Sequence, residues 1–173
     1  MSRRSRSREV ALQLLYEEDL NPQRSEEVSS RFLSQRLHGD EELIRFAREL
    51  VEGVQLYADE LDQLISEYTE NWTITRIAAT DRNVLRLGAY ELIHTDTPGP
   101  VVINEAVELS KRFGGKQSAG FVNGVLDQIL HREDKSQDYY YADLPRHLFR
   151  NVAQIGATVF ADCVAGTHWV QED

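Results

Sequence analysis

The sequence is poor in the residues that cross-link, break or anchor a chain. Cys163 is the single cysteine among 173 residues, so neither an internal disulfide nor a thiolate metal cluster is available. A reducing cytoplasm is the simplest compartment. Only four prolines and ten glycines interrupt the chain, which leaves most of it free to be helical. No run of ~18 apolar residues occurs, so no transmembrane span is expected. The N-terminal arginines have no apolar run behind them, so no signal peptide is expected. His38, His94, His131, His147 and His168 are scattered without metal-ligand spacing. Gly114-Gly115 precedes a helix, but no strand leads into it, so it is not a nucleotide-binding loop. His94 near Asp96 makes an acid/base pair only inside a pocket; a histidine meeting the dipole at a helix end is the simpler reading. These absences point away from an enzyme, and no cofactor is expected.

What is present is enough apolar material, 41% of the residues, to build one core at this length. The net charge is −10, which taken alone argues against a nucleic-acid partner. The charge is unevenly spread, however. Arg3, Arg4, Arg6 and Arg8 fall within the first eight residues with no acid among them. A basic arm on an acidic body is a sign of local anion binding; a soluble, disordered tail is the alternative.

Helical periodicity runs from the N-terminus to about residue 130. Val10, Ala11, Leu14 and Leu15 form one stripe of a helix that begins near Ser5 or Ser7 and ends at Leu20, before Asn21-Pro22. Ser25 opens a second helix, with Glu26 and Glu27 at its positive end, and His38-Gly39-Asp40 breaks the chain. From Leu43 to Tyr68 apolar residues recur in steps of four and three, a seam roughly 40 Å long, for which a bend or a break near Gly53 is expected. A helix up to His94 turns Ile77, Val84, Leu85 and Leu87 inward. Pro100 suits the first turn of the next helix, and Gly114-Gly115 ends it. Gln117 or Ser118 starts the last strong helix. Leu14, Leu50, Leu85, Ala106 and Val125 are expected in the core. The residues after 134 change in composition and carry no clear pattern. The fold class is all-α, a bundle of about six to seven helices.

Arginine forks match phosphate and stack on bases, and arginine-rich segments often order on binding RNA. Lys111, Arg112 and Lys116 flank the Gly114-Gly115 turn as a second basic point, next to the N-terminus of the last helix. Ordinary solubilising surface charge is the alternative reading at both places.

Four blocks then add a resemblance. Asp81-Arg82-Asn83-Val84-Leu85-Arg86-Leu87-Gly88-Ala89-Tyr90-Glu91-Leu92 looks like the central helix of the NusB family of transcription antitermination proteins. Val102-Ile103-Asn104-Glu105-Ala106-Val107-Glu108-Leu109 with Lys111-Arg112-Phe113-Gly114 is similar to the next. Phe121-Val122-Asn123-Gly124-Val125-Leu126-Asp127 resembles the family's most specific signature. Arg6-Ser7-Arg8-Glu9 with Ala11, Gln13, Leu15 and Tyr16 resembles its opening. The resemblance implies two packed three-helix subdomains within a helical RNA-binding domain over residues 1–134, with residues 135–173 as an extension. It implies a binding protein and no reaction. The partners it implies are boxA RNA of rRNA leader transcripts, NusE (a small-subunit ribosomal protein) and an RNA polymerase antitermination complex. It carries RNA contacts to the arginine segment (Arg3, Arg4, Arg6, Arg8), to Tyr16 and Lys111, and to Lys116, Gln117, Ser118 and Phe121. Tyr16 and Asp81 fall on the NusE surface. Ser5 departs from the family's arginine run. Phe121 stacks on a base if exposed and belongs to the core if buried. Some family members look like dimers that cover the RNA surface, so a homodimer stays open. So do an interaction protein of this fold without RNA binding and a stand-alone relative of the helical domain of rRNA cytosine methyltransferases.

Overall fold

A computed structural model describes residues 3–23, 25–69 and 73–142. Seven α-helices and one short 3-10 turn make up the ordered elements among them. Helix α1 (Arg3–Leu20) starts one short step before the expected position, so all four N-terminal arginines are helical. Helix α2 (Glu26–Arg36) follows Ser25, which holds the cap position in extended backbone without a side-chain cap bond. It ends as expected at His38-Gly39, two consecutive residues in the left-handed region (φ 54° and 71°). Glycine takes that conformation without a Cβ penalty, and histidine is among the residues that tolerate it. Asp40 then caps α3 (Glu41–Leu56), its side chain accepting from the Leu43 amide at 3.3 Å.

The long seam is broken as expected, at Tyr57, four residues past Gly53. Helix α4 (Ala58–Glu67) begins directly after Tyr57. Gly53 has another use: a Cβ there would lie 2.0 Å from Cζ of Tyr90, so the missing side chain makes room for a ring of α5. A 3-10 turn (Ile74–Arg76) leads into α5 (Ala79–His94), and Ile77 is buried between the two. Helix α6 (Gly99–Phe113) carries Pro100 in its first turn, and α7 spans Ser118–Ala142.

Helices α1, α2 and α3 pack on one another, and α5 packs on α4 and α6. Helix α5 also lies against α1 and α3, joining the two groups. Gly88 and Gly99 leave space for Leu126 and Leu130 of α7. The core is continuous, with Leu14, Leu50, Leu85, Ala106 and Val125 all buried as expected. Each fully buried leucine contributes about 1.5–3 kcal/mol. Polar contacts fix the same junction. Asp19 at the end of α1 accepts from Arg82 (2.8 Å) and Asn83 (2.9 Å), and Arg86 grips Asp62 of α4 with two bonds, 2.6 and 2.7 Å. By its contacts the chain divides into two units, Met1–Glu133 and Asp134–Asp173. Helix α7 continues through Tyr139, Tyr140 and Tyr141 to Ala142; the rest of the tail, with Cys163, lies outside the described residues.

Candidate nucleic-acid interface

The four N-terminal arginines sit on the first two turns of α1, yet they do different things. At 3.6 residues per turn, Arg4 and Arg8 share a face, and each guanidinium lies 5.2 Å from the centre of the Phe46 ring of α3. Arg3 is exposed and reaches Asp40 at 2.5 Å and Glu42 at 3.7 Å, the first turn of α3. Arg6 emerges on another side and donates to Glu9 at 2.7 Å.

Arg8 departs from the expected phosphate contact. It is 4% exposed, and its guanidinium clasps Glu91 of α5 through Nε (2.8 Å) and Nη2 (2.6 Å). Glu105 of α6 stands 3.9 Å away and accepts from Ser5 at 2.7 Å. Burial alone would disfavour the charge on Arg8, but the hydrogen bond and attraction from Glu91 outweigh it and raise its pKa. A buried guanidinium with its Nε–Nη2 edge bonded to one carboxylate and its Nη1 turned toward another is committed to partners inside the protein. Its role is to join α1 to α5 and α6.

Glu9, 1% exposed, is the second junction. Its two carboxylate oxygens accept from Arg6 and from Arg112 of α6, each at 2.7 Å, and Gln13 adds a longer bond of 3.4 Å. This carboxylate brings the start of α1 and the end of α6 side by side. The arginine segment and the glycine turn, far apart in sequence, therefore border one another.

The turn itself is built around Ser118. Its hydroxyl accepts from the Gly115 amide and donates to Asp81 Oδ2, both at 2.8 Å. A Cβ on Gly114 would lie 2.5 Å from Cβ of Ser118 and 2.7 Å from the carbonyl of Ser110, so no side chain fits there. Ser118 is buried and Asp81 half-buried, which makes them supports of the turn and not its contact surface. Lys111, Lys116 and Gln117 are exposed; Lys111 donates to Glu108 at 2.7 Å. Phe121 is half-buried and packs on the core with part of its ring outward. Tyr16, 38% exposed, borders a shallow groove shared with Leu12, Gln13, Arg36, Thr80 and Phe113.

Glu9, Glu91 and Glu105 were not singled out as site residues from the sequence, and Arg112 was read only as part of the basic point at the turn. Arg6 and Glu9 stand three apart on one helix, a spacing that signals a pair; the other partners are long-range and leave no local signal. His94 ends α5 and stacks on Tyr57 at 4.0 Å and Tyr90 at 5.4 Å. Among the described residues no cluster of three or more His, Cys, Asp or Glu is arranged to hold a metal, and no helix is long and apolar enough to cross a membrane.

The sequence model of the NusB family matches residues 5–131. The chain belongs to the NusB family. The NusB transcription antitermination protein of Myxococcus xanthus (strain DK1622) is 46% identical over 133 residues, covering 75% of this chain and 95% of that protein. That of Anaeromyxobacter dehalogenans (strain 2CP-1 / ATCC BAA-258) is 44% identical over 128 residues, covering 74% and 90%. Among solved structures, T. maritima NusB superposes with a TM-score of 0.67 at 35% identity, covering 76% of this chain and 92% of that one. A chain in the crystal structure of antitermination factors NusB and NusE in complex with dsRNA gives 0.69 at 28% identity, covering 76% and 98%. The NusB match contains the glycine turn and, of the arginine segment, Arg6 and Arg8; it begins after Arg4 and stops at residue 131.

Proposed function

We propose that this protein is an RNA-binding antitermination factor. It binds the boxA element of rRNA leader transcripts together with NusE and joins an RNA polymerase complex that reads through terminators. It acts in the cytoplasm by binding, with no cofactor and no reaction of its own. The observation that carries this reading is the meeting of the two basic places across Glu9, inside the segment that matches the NusB family. Arg3, Arg4, Arg6, Lys111, Lys116, Gln117 and the outward part of Phe121 supply the RNA contacts. Tyr16 and its groove face NusE, while Arg8, Ser118 and Asp81 hold the surface in shape. Residues 1–134 carry the function and residues 135–173 are accessory to it.

The test is titration of a fluorescent boxA RNA and a scrambled RNA with the protein and NusE over a range of salt. Preference for boxA is expected, with affinity falling as salt rises by a log–log slope of about 0.7 per phosphate contacted. Equal binding of both RNAs would leave only charge attraction and remove the support for antitermination.

A further inference from the structure

We infer that Phe46 of α3 is a positioning residue for RNA binding, and that its ring presets Arg4 to meet a phosphodiester of single-stranded RNA. This contact rests on the RNA-binding reading above and specifies one part of it. Of the four arginines on α1, three are committed to carboxylates. Arg3 faces Asp40 and Glu42, Arg6 faces Glu9, and Arg8 faces Glu91 with Glu105 beyond. Arg4 is exposed and makes no hydrogen bond or ion pair among the described residues. What holds it is the Phe46 ring, whose centre lies 5.2 Å from its guanidinium carbon.

The two kinds of partner have different consequences. A carboxylate orients a guanidinium but offsets its charge and takes up N–H donors. An aromatic face attracts the cation through the ring quadrupole and takes neither. Arg4 is therefore oriented while its positive charge and its N–H donors remain for a ligand. The ring itself is firmly set. Phe46 is half-buried, packs on the core and also meets the buried guanidinium of Arg8, again at 5.2 Å. Arg4 and Arg8 share one face of α1, so a single ring of α3 serves both. The inner cation is tied to Glu91, and the outer one reaches solvent. An arginine held in place beforehand loses less side-chain freedom when it meets phosphate than one moving freely in water. Phe46 thus acts on RNA affinity through Arg4.

The test is a double-mutant cycle between Arg4 and Phe46, read as binding of the fluorescent boxA RNA with NusE across salt. Phe46→Leu keeps an apolar side chain on the core and removes the ring face; Phe46→Tyr keeps the face. Circular dichroism compares the folds of the full-length variants. Arg4→Ala is expected to bind several-fold more weakly, with a salt slope smaller by about 0.7, one single-strand phosphate contact. Phe46→Leu is expected to weaken binding several-fold in the natural chain and to add nothing once Arg4 is alanine. Phe46→Tyr is expected to bind as the natural chain does. Equal losses from Phe46→Leu in both backgrounds, which a merely structural role through Arg8 would give, overturn the positioning role. So do full binding by Phe46→Leu, weak binding by Phe46→Tyr, and an unchanged slope in Arg4→Ala. Each of these leaves the RNA-binding reading intact, whereas no RNA binding by the natural protein overturns both.

Discussion

The two basic places of the interface are held in opposite ways. On α1 each arginine has a fixed partner: Asp40 for Arg3, the Phe46 ring for Arg4 and Glu91 for Arg8 come from other elements, and Glu9 for Arg6 stands on the same helix. At the turn before α7, the side chains of Lys116 and Gln117 stand in solvent with no hydrogen bond or ion pair among the described residues, and order comes from the backbone through Ser118. The net charge of −10 reads differently in this light. Part of the acidic body is the scaffold that aims the cations of α1. At the turn Arg112 is still tied to Glu9 and Lys111 to Glu108, but Lys116 is solvated, and ordering that lysine costs up to about 2 kcal/mol of side-chain entropy.

The comparison breaks most sharply at Arg8. Arg8→Ala strands Glu91 in the interior and is expected to cost about 3–5 kcal/mol in urea unfolding, while Arg8→Met with Glu91→Leu recovers most of it. A loss below about 1 kcal/mol for the single variant would show that Arg8 belongs with the solvated cations after all. An intermediate effect is expected at Asp19. Burial pushes its carboxyl up, but the hydrogen bonds from Arg82 and Asn83 and the nearby Arg86 outweigh that and depress its pKa. The stability it contributes is present above the ordinary aspartate value of about 3.9 and is lost as pH falls through the lower folded value. Thermal melts from pH 6 down to pH 2 should therefore show a shallower acid decline in Asp19→Asn, which starts from a lower stability at neutral pH. The same slope in both proteins would remove Asp19 from the account. The smallest structural effect is expected for Lys116→Ala: unfolding free energy within about 0.5 kcal/mol, but an RNA salt slope smaller by about 0.7. A marked loss of stability there would mean that the turn, like α1, is held by its side chains.

The helical layout was legible in sequence because periodicity is local. Each of the named core residues, Leu14, Leu50, Leu85, Ala106 and Val125, recurs at the spacing of a buried stripe and is buried. Gly53 misled as to the place of the break because a glycine inside a helix reads equally as a bend or as a close approach, and only the position of Tyr90 decides between them. Arg8 was illegible for the same reason. Nothing next to it in sequence separates it from Arg6, and the deciding partner is 83 residues away. Phe121 showed core periodicity and a family match at once, and its half-buried ring accommodates both.

The span of these pairings bears on how the chain comes off the ribosome. Ser5 meets its acceptor 100 residues later, Arg8 meets Glu91 after 83, and Glu9 meets Arg112 after 103. Helix α1 is made first and completed last. At about 5–20 residues per second, roughly 4–20 s separate its synthesis from that of its partners. During that interval a helix with four arginines and an apolar stripe has no tertiary partner beyond α2 to α4. The anchors within reach are on α2 and α3: the Phe46 ring, the Leu43 carbonyl, which accepts from Ser7 at 3.1 Å, and Asp40, which accepts from Arg3. The N-terminal three helices are thus the first elements able to dock on one another, and the surface is complete only once Glu91, Glu105 and Arg112 have been made.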